Sequence, residues 1–218
     1  MKIDRCYLCG STERITRDHI PPRGLFPEPR PDDLITVPCC YACNQRFSNA
    51  DEMLRVFVSG AINRSRAGDQ IWKGKVIPRT LGRKRQRSLT RHIIRSINRT
   101  TVSTPHGSFI AASITAPQEC ITPTLIRIVK GLLFRYYPDF EYHDLVFCAV
   151  PLDQFNLDVQ INPVAHLLKH HASGDGVFSS WHGFANDAPR CGVWFLVFYN
   201  AVGFAVYHST PDKWRIGS

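Results

Sequence analysis

The sequence predicts an α+β protein whose strands pair in antiparallel sheets, and three observations along its 218 residues support this fold class. Residues 1–60 contain five of the eight cysteines, residues 61–100 are strongly cationic, and residues 101–218 alternate between strand-like and helix-like segments. The chain is 44% hydrophobic and 11% aromatic, which is enough apolar material for a packed core. We therefore predict a small metal-stabilised N-terminal domain (1–60), a basic linker and helix segment (61–100) and a C-terminal α+β domain (101–218).

Two Cys-x-x-Cys pairs mark the N-terminal domain, Cys6 with Cys9 and Cys40 with Cys43. Each pair places two thiolates on one tight turn, and two such turns facing each other form a tetrahedral four-sulfur zinc site. In a reducing compartment such pairs bind metal more often than they form disulfides, although redox or packing cysteines are the alternative. A site with four sulfur ligands has no open coordination position, so we predict a structural zinc. Cys39 lacks the spacing and is expected to be a bystander.

Polar residues that suit a divalent cation lie between the two cysteine pairs and directly after the second pair. Asp18 and His19 are neighbours in a short extended segment, and Asn44 follows the last cysteine. Neighbouring side chains of an extended segment project to opposite faces, so one can hold a metal while the other acts on a water. Carboxylate and amide oxygens suit Mg²⁺ or Mn²⁺. Taken singly, Asp18 could merely pair with an arginine and Asn44 could merely cap a helix; at this spacing the three together indicate a hydrolytic metal site.

The order of these motifs resembles a known nuclease family. The run Cys-x-x-Cys, Asp-His-Ile-x-Pro, an apolar strand and Cys-x-x-Cys-Asn over residues 4–60 is similar to the zinc-stapled branch of the HNH (His-Me finger, ββα-metal) endonucleases. The resemblance implies a ββα-metal fold and hydrolysis of DNA phosphodiester bonds. His19 would be the general base, and Asp18 and Asn44 would hold one catalytic Mg²⁺ or Mn²⁺.

One position departs from the family pattern. Asp33 stands where the family has an asparagine that steadies the loop carrying the catalytic histidine. An ionised aspartate accepts hydrogen bonds but donates none, so half of the asparagine-type bonding is lost. A carboxylate near the imidazole is also expected to raise the pKa of His19.

The charge distribution favours a polyanionic partner. The chain has 27 Lys and Arg against 18 Asp and Glu, a net charge of +9 and a pI of about 9.3. Residues 61–100 contain twelve of these cations against Asp69 alone, which predicts a segment that follows the phosphate backbone without reading sequence; a solvated charged face is the alternative. The candidate phosphate contacts are Arg17, Arg23, Arg46, Arg83, Lys84, Arg85 and Arg87. We expect DNA as the partner, with RNA as the alternative, because a basic surface does not distinguish the two.

The C-terminal domain is predicted from apolar periodicity and turn residues. The predicted elements, in order, are strands at 99–104 and 108–115, a helix from Thr122, a strand at 145–150, a helix at 162–170 and a closing hairpin of strands at 191–199 and 203–208. Recognition of a DNA feature, homodimerisation and binding of another protein are all open roles for this domain.

The sequence also gives expectations for the location of the protein and for alternative activities. The longest apolar stretches, such as Gly192 to Tyr199, are too short to span a bilayer, and the N-terminus lacks a signal-peptide pattern, so we expect a cytoplasmic protein without a membrane partner. Two readings compete with an active DNA endonuclease. One is a zinc-knuckle nucleic-acid-binding module without cleavage activity, and the other is an RNA-directed nuclease.

Overall fold

The computed structural model describes residues 5–61, 63–82, 97–104, 107–114, 118–152 and 157–213. Its nine β-strands in these residues are β1 (Ile15–His19), β2 (Thr36–Cys40), β3 (Ile97–Thr104), β4 (Gly107–Ile114), β5 (Val146–Pro151), β6 (Lys169–Ser173), β7 (Phe178–Phe184), β8 (Gly192–Phe198) and β9 (Val202–Ser209). The described helices are α1 (Tyr41–Arg46), α2 (Ser48–Ser59), α3 (Arg66–Ile71), α4 (Gln118–Tyr136) and α5 (Leu157–Ala165). The predicted contacts Arg83, Lys84, Arg85 and Arg87 lie outside the described residues.

All described strands pair in antiparallel fashion. Strands β1 and β2 form one two-stranded sheet, β3 and β4 form another, and the remaining five strands form a sheet of order β5-β9-β8-β7-β6. The predicted α+β class with antiparallel strands is therefore confirmed.

The N-terminal part is a β-hairpin followed by two consecutive helices. β-Branched residues favour the strands, and Asp18 of β1 is paired with Val37 of β2. A 3-10 turn at Arg23–Leu25 lies in the long loop between the strands. Helix α1 begins directly after β2, because the Cys40 sulfur accepts a hydrogen bond from the Cys43 backbone N–H at 3.4 Å and so caps the helix.

The first half of the basic segment is folded and packed. Helix α3 continues into a π-helix at Trp72–Leu81, and Pro78 inside it lacks the backbone N–H that a regular helix needs. Ala67, Ile71 and Val76 are buried on the inner side of these helices. Several cations of this segment are bound within the protein: Arg64 and Lys73 both pair with Asp69, at 2.8 and 2.6 Å, and Lys75 donates to the Phe26 carbonyl oxygen at 3.0 Å.

Three C-terminal elements differ from the sequence prediction. The helix predicted at 162–170 is wrong in its second half, since α5 ends at Ala165 and residues 169–173 form strand β6. Strand β7 was not predicted, because Ser180 and His182 interrupt its apolar pattern although both are buried. Helix α4 begins four residues before the predicted Thr122. Pro123 is its sixth residue and lacks the N–H that a regular helix would bond to the Glu119 carbonyl.

One apolar core connects the N-terminal hairpin with the C-terminal sheet. Helix α4 packs against α2 on one side and against β5 and β9 on the other. At Gly131 of α4 an added Cβ would lie 2.5 Å from Ile20 Cγ1, so only glycine allows the helix to approach the hairpin this closely. The core therefore crosses the boundaries proposed at residues 60 and 100. Among the described helices, none has both the length and the apolar content that a bilayer crossing demands.

Candidate functional site

Four cysteine sulfurs form a compact cluster at the base of the N-terminal hairpin. The Sγ atoms of Cys6, Cys9, Cys40 and Cys43 all lie within 4.8 Å of one another. The Cys9 and Cys40 sulfurs are 3.8 Å apart, which is about the edge length of a tetrahedron with metal–sulfur distances of about 2.3 Å. The cluster thus fits a structural metal such as zinc.

Local backbone geometry builds both halves of this sulfur cluster. Cys6 and Cys9 lie on a turn closed by the Gly10 N–H, which donates to the Cys6 carbonyl at 2.8 Å, and Gly10 takes a positive φ of 74° that suits glycine. Cys40 and Cys43 lie at the start of α1. Cys39 is fully buried, with its Sγ 4.0 Å from that of Cys6, and does not belong to the four.

The acidity of the cluster thiols is uneven. Burial acts to raise the pKa of Cys6, but backbone hydrogen bonds from Cys40, Leu8 and Cys9 outweigh it and lower this pKa to about 6. Burial and hydrogen bonding to neighbouring sulfurs raise the pKa of Cys43. A bound cation would reverse that rise, because coordination deprotonates a thiol.

A separate cavity of about 430 Å³ lies beside the hairpin. It is lined by three of the four residues predicted for catalysis, and Asp33, the fourth, is not in its lining. Asp18 and His19 come from the end of β1, and Asn44 comes from α1. The wall of this cleft also includes Arg17, Arg23, Ser48, Asp51, Glu52 and Arg55. The structure thus brings the predicted residues together, and it adds two predicted arginines and a third, Arg55, that was not predicted.

His19 is half-buried at the edge of the cleft. Burial lowers its pKa below the ordinary value, the charges of Arg23 and Arg30 lower it further, and Asp18 acts in the opposite direction. The ring is therefore neutral near pH 7, the form that can accept a proton.

Asp33 lies in an exposed turn before β2 and is not in the lining of the cleft. Burial and the charge of His170 lower the pKa of His171, and the charge of Asp33 opposes that fall. The pKa of His19 is lowered, so the rise expected for it is not seen. The Ile20 backbone N–H donates to the Ile35 carbonyl at 2.9 Å and ties the segment after His19 to the strand that follows Asp33. A role for Asp33 in steadying the His19 loop stays a prediction.

The orientation of the Asn44 amide is set by Thr16. The Thr16 hydroxyl donates to the Cys39 carbonyl at 2.8 Å, and the Asn44 amide nitrogen donates to the Thr16 oxygen at 3.1 Å. Because the hydroxyl hydrogen is already used, Thr16 can only accept from Asn44. The amide NH₂ is thereby fixed, and the amide oxygen is left to face another partner.

Asp18 is held in a buried network that the sequence did not predict. Its carboxylate accepts a hydrogen bond from the Tyr7 hydroxyl at 2.8 Å, and Arg127 Nη1 lies 3.0 and 2.9 Å from its two oxygens. Arg127 Nη2 pairs with Asp51 at 2.6 Å, and Thr124 donates to the same Asp51 oxygen at 3.0 Å. The sequence feature that could have indicated this network is Arg127, a charged residue between apolar residues of α4.

Arg46 lies outside the cleft. It lines a second cavity of about 660 Å³ between α1, α2 and α4, together with Cys43 and Lys130. Its guanidinium lies 6.0 Å from the Phe47 ring centroid. Of the predicted phosphate contacts in the described residues, Arg17 and Arg23 therefore share the cleft with His19, whereas Arg46 does not.

Comparison with known proteins identified no relative of this chain. No family model, no curated protein and no solved structure matches the chain. The sulfur cluster and the cleft are therefore the basis on which a function is assigned.

Proposed function

We propose that this chain is a metal-dependent endonuclease of the HNH type, which hydrolyses phosphodiester bonds in DNA and carries a structural zinc on its four clustered cysteines. The observation that carries the proposal is the single cavity lined by Asp18, His19 and Asn44. The order of elements around it, an antiparallel hairpin followed by a helix, matches the ββα arrangement that the resemblance implies.

The residues of the cleft suit hydrolysis by a single divalent cation. Oxygens of Asp18 and Asn44 would hold Mg²⁺ or Mn²⁺, since a carboxylate and a fixed amide oxygen are ligands that these cations accept. When bound, the cation supplies charge stabilisation at a phosphoryl oxygen and at the leaving 3′-oxygen. Neutral His19 would take a proton from the attacking water as the water oxygen bonds to phosphorus and the bond from phosphorus to the 3′-oxygen breaks. The leaving 3′-oxygen would then take a proton from solvent. The products would be a 5′-phosphate and a 3′-hydroxyl.

Positive charge around the cleft favours a polynucleotide substrate. Arg17 and Arg23 line the cavity, and the whole chain carries a net charge of +9. Arg55 also lies in the wall, but it is paired with Glu52 at 3.1 Å. Side chains of this kind bind phosphate oxygens without reading the base sequence. We assign the same role to Arg83, Lys84, Arg85 and Arg87, which lie outside the described residues.

A nucleic-acid-binding module without cleavage activity is the second candidate, and one observation favours it. Both carboxylate oxygens of Asp18 already accept hydrogen bonds from protein groups. A carboxylate satisfied in this way could serve the fold alone. Metal-dependent cleavage distinguishes the two functions.

The decisive experiment is a plasmid-nicking assay with purified protein of known zinc content. Supercoiled DNA is incubated with Mg²⁺, with Mn²⁺ or with EDTA, for the wild type, His19→Ala and the control His166→Ala, which changes an exposed histidine outside the cleft. We expect metal-dependent nicking that falls about 10²- to 10⁴-fold in His19→Ala, because a general base contributes that much. The control should retain full activity.

The opposite result selects an alternative. If neither metal gives product while wild type and His19→Ala shift DNA equally in a gel, the binding-module function is correct. The same assay on RNA and on single-stranded DNA then shows whether duplex DNA was the wrong substrate.

A further inference from the structure

We infer that Arg127 is a positioning residue for the metal ligand Asp18, so that the cation site in the cleft is completed by a side chain from the C-terminal half of the chain. This inference rests on the proposed function. It adds a residue 109 positions away in sequence to a site that the motifs confine to residues 4–60.

The hydrogen bonds leave Asp18 with one free direction. A carboxylate has about four lone-pair directions. The Tyr7 hydroxyl and Arg127 Nη1 occupy the two on Oδ2, at 2.8 and 2.9 Å, and Arg127 Nη1 occupies one on Oδ1, at 3.0 Å. One lone pair of Oδ1 thus remains for a ligand in the cleft. Partners of this outer kind fix the orientation of metal-binding side chains.

Arg127 is held too firmly to withdraw from Asp18 when a cation binds. Its side chain is 1% exposed, Asp51 binds its second nitrogen at 2.6 Å, and the Phe47 ring lies 5.0 Å from the guanidinium. The close contact of Gly131 with Ile20 fixes the helix that carries it. A fixed guanidinium orients its partner carboxylate. A guanidinium that competed with the cation for Asp18 would instead need room to move away.

Arg127 also lies between two carboxylates. Its guanidinium pairs with Asp18 at 2.9 Å and with Asp51 at 2.6 Å. A bare pair of buried carboxylates would be costly, since each buried charge requires a partner. Burial raises the pKa of Asp51, and the charge of Arg127 opposes that rise, so the guanidinium favours the ionised form of this carboxylate.

The test measures Mn²⁺ affinity directly, by the EPR signal of free Mn²⁺ in titrations of zinc-loaded full-length protein. Arg127→Met keeps the side-chain length but removes the hydrogen bonds, and we expect its affinity for Mn²⁺ to fall about 10- to 100-fold. Arg127→Lys should fall less, because one ammonium can reach only one of the two carboxylates. Arg64→Met is the matched control, since Arg64 likewise pairs with an aspartate, at 2.8 Å, and lies near an aromatic ring, but outside the cleft.

A second variant covers the case in which Arg127→Met does not fold. Tyr7→Phe removes the other hydrogen bond to Asp18 without changing charge or ring size, and we expect a several-fold loss of Mn²⁺ affinity at an unchanged zinc content. Retention of wild-type affinity in Tyr7→Phe and in the folded Arg127 variants would overturn the positioning role. Tighter binding in Arg127→Met would overturn it in favour of a competing guanidinium.

The outcomes for wild-type protein separate this inference from the proposed function. A wild type that binds Mn²⁺ and nicks DNA, combined with unaltered Mn²⁺ binding in the variants, removes only the role of Arg127. A wild type with no Mn²⁺ site and no metal-dependent nicking removes the proposed nuclease, and the positioning role with it.

Discussion

The sulfur cluster and the cleft lie on the same hairpin, yet they are built in different ways. The cluster takes two ligands from each of two short turns, and its four sulfur atoms lie within 4.8 Å of one another. The cleft takes Asp18, His19 and Asn44 from the hairpin and α1, but the partners of Asp18 include Arg127, 109 residues further along the chain. Ligands on one turn are determined by local spacing, whereas the orientation of a ligand depends on whatever packs behind it.

The two regions also differ in what holds their polar groups before any metal is bound. The four cysteine sulfurs lie close to one another, so we expect the stability of the cluster to depend on a bound cation. The carboxylate of Asp18 is satisfied by a tyrosine and an arginine, so the cleft is stable as a protein structure. We therefore expect metal loss at the cluster to affect folding, and metal loss at the cleft to affect only activity.

The largest expected effect is the loss of one cluster ligand. Cys43→Ser should lose zinc and fail to fold stably, because a structural zinc contributes about 10–16 kcal/mol and most domains are stable by only about 5–15 kcal/mol. Zinc content by atomic absorption and thermal melts by circular dichroism check this. Cys39→Ala, at the neighbouring buried cysteine, should keep its zinc. A Cys43→Ser protein that melts like the wild type would show that the cluster has no folding role.

A smaller effect is expected from acid, and it should arise in the C-terminal sheet behind α4. His182 is 4% exposed and shares a hydrogen bond of 2.8 Å with the hydroxyl of Tyr137, the residue directly after α4. Burial lowers its pKa to about 4, helped by the charges of Lys169 and His171. The folded state therefore favours the neutral ring, so stability is complete above about pH 6.5 and falls as the pH drops towards 4.

The expected loss from His182 between pH 7 and pH 5 is about 2 kcal/mol in the free energy of unfolding. Urea titrations of zinc-loaded wild type and His182→Gln at both pH values measure it. The variant should show a shallower pH dependence, and the remaining slope belongs to other groups such as His208, whose pKa is also lowered by burial. Equal slopes in both proteins would contradict the assignment.

The smallest effect distinguishes two arginines that sequence alone treats alike. Arg23 lines the cleft and Arg46 lines the second cavity. Removing one phosphate contact weakens DNA binding by a factor of a few and makes its salt dependence shallower. We expect a three- to tenfold rise in KM for plasmid nicking in Arg23→Gln, about 0.7 to 1.4 kcal/mol, and less than a twofold change in Arg46→Gln, about 0.4 kcal/mol at most. A larger effect at Arg46 would place the DNA path across the other face of α1.

Local patterns predicted much of this molecule. The two Cys-x-x-Cys pairs predicted the sulfur cluster because each needs only one turn, and apolar alternation predicted most C-terminal strands. Strand β7 was not predicted because its buried face contains Ser180 and His182, and a search for apolar alternation treats such polar residues as exposed. The contacts of Thr16 with Asn44 and of Arg127 with Asp18 were not predicted for a related reason. Tertiary packing determines these hydrogen-bond partners, and sequence spacing does not indicate them.

The contact between Asp18 and Arg127 also determines when the cleft can mature during synthesis. At about 5–20 residues per second, the ribosome makes Arg127 roughly 5 to 20 seconds after Asp18. Through that interval the nascent hairpin already has all four cysteines but lacks the arginine that orients its carboxylate. Under the proposed function, we expect chains that end before Arg127 to bind the catalytic cation about 10- to 100-fold more weakly than the finished protein.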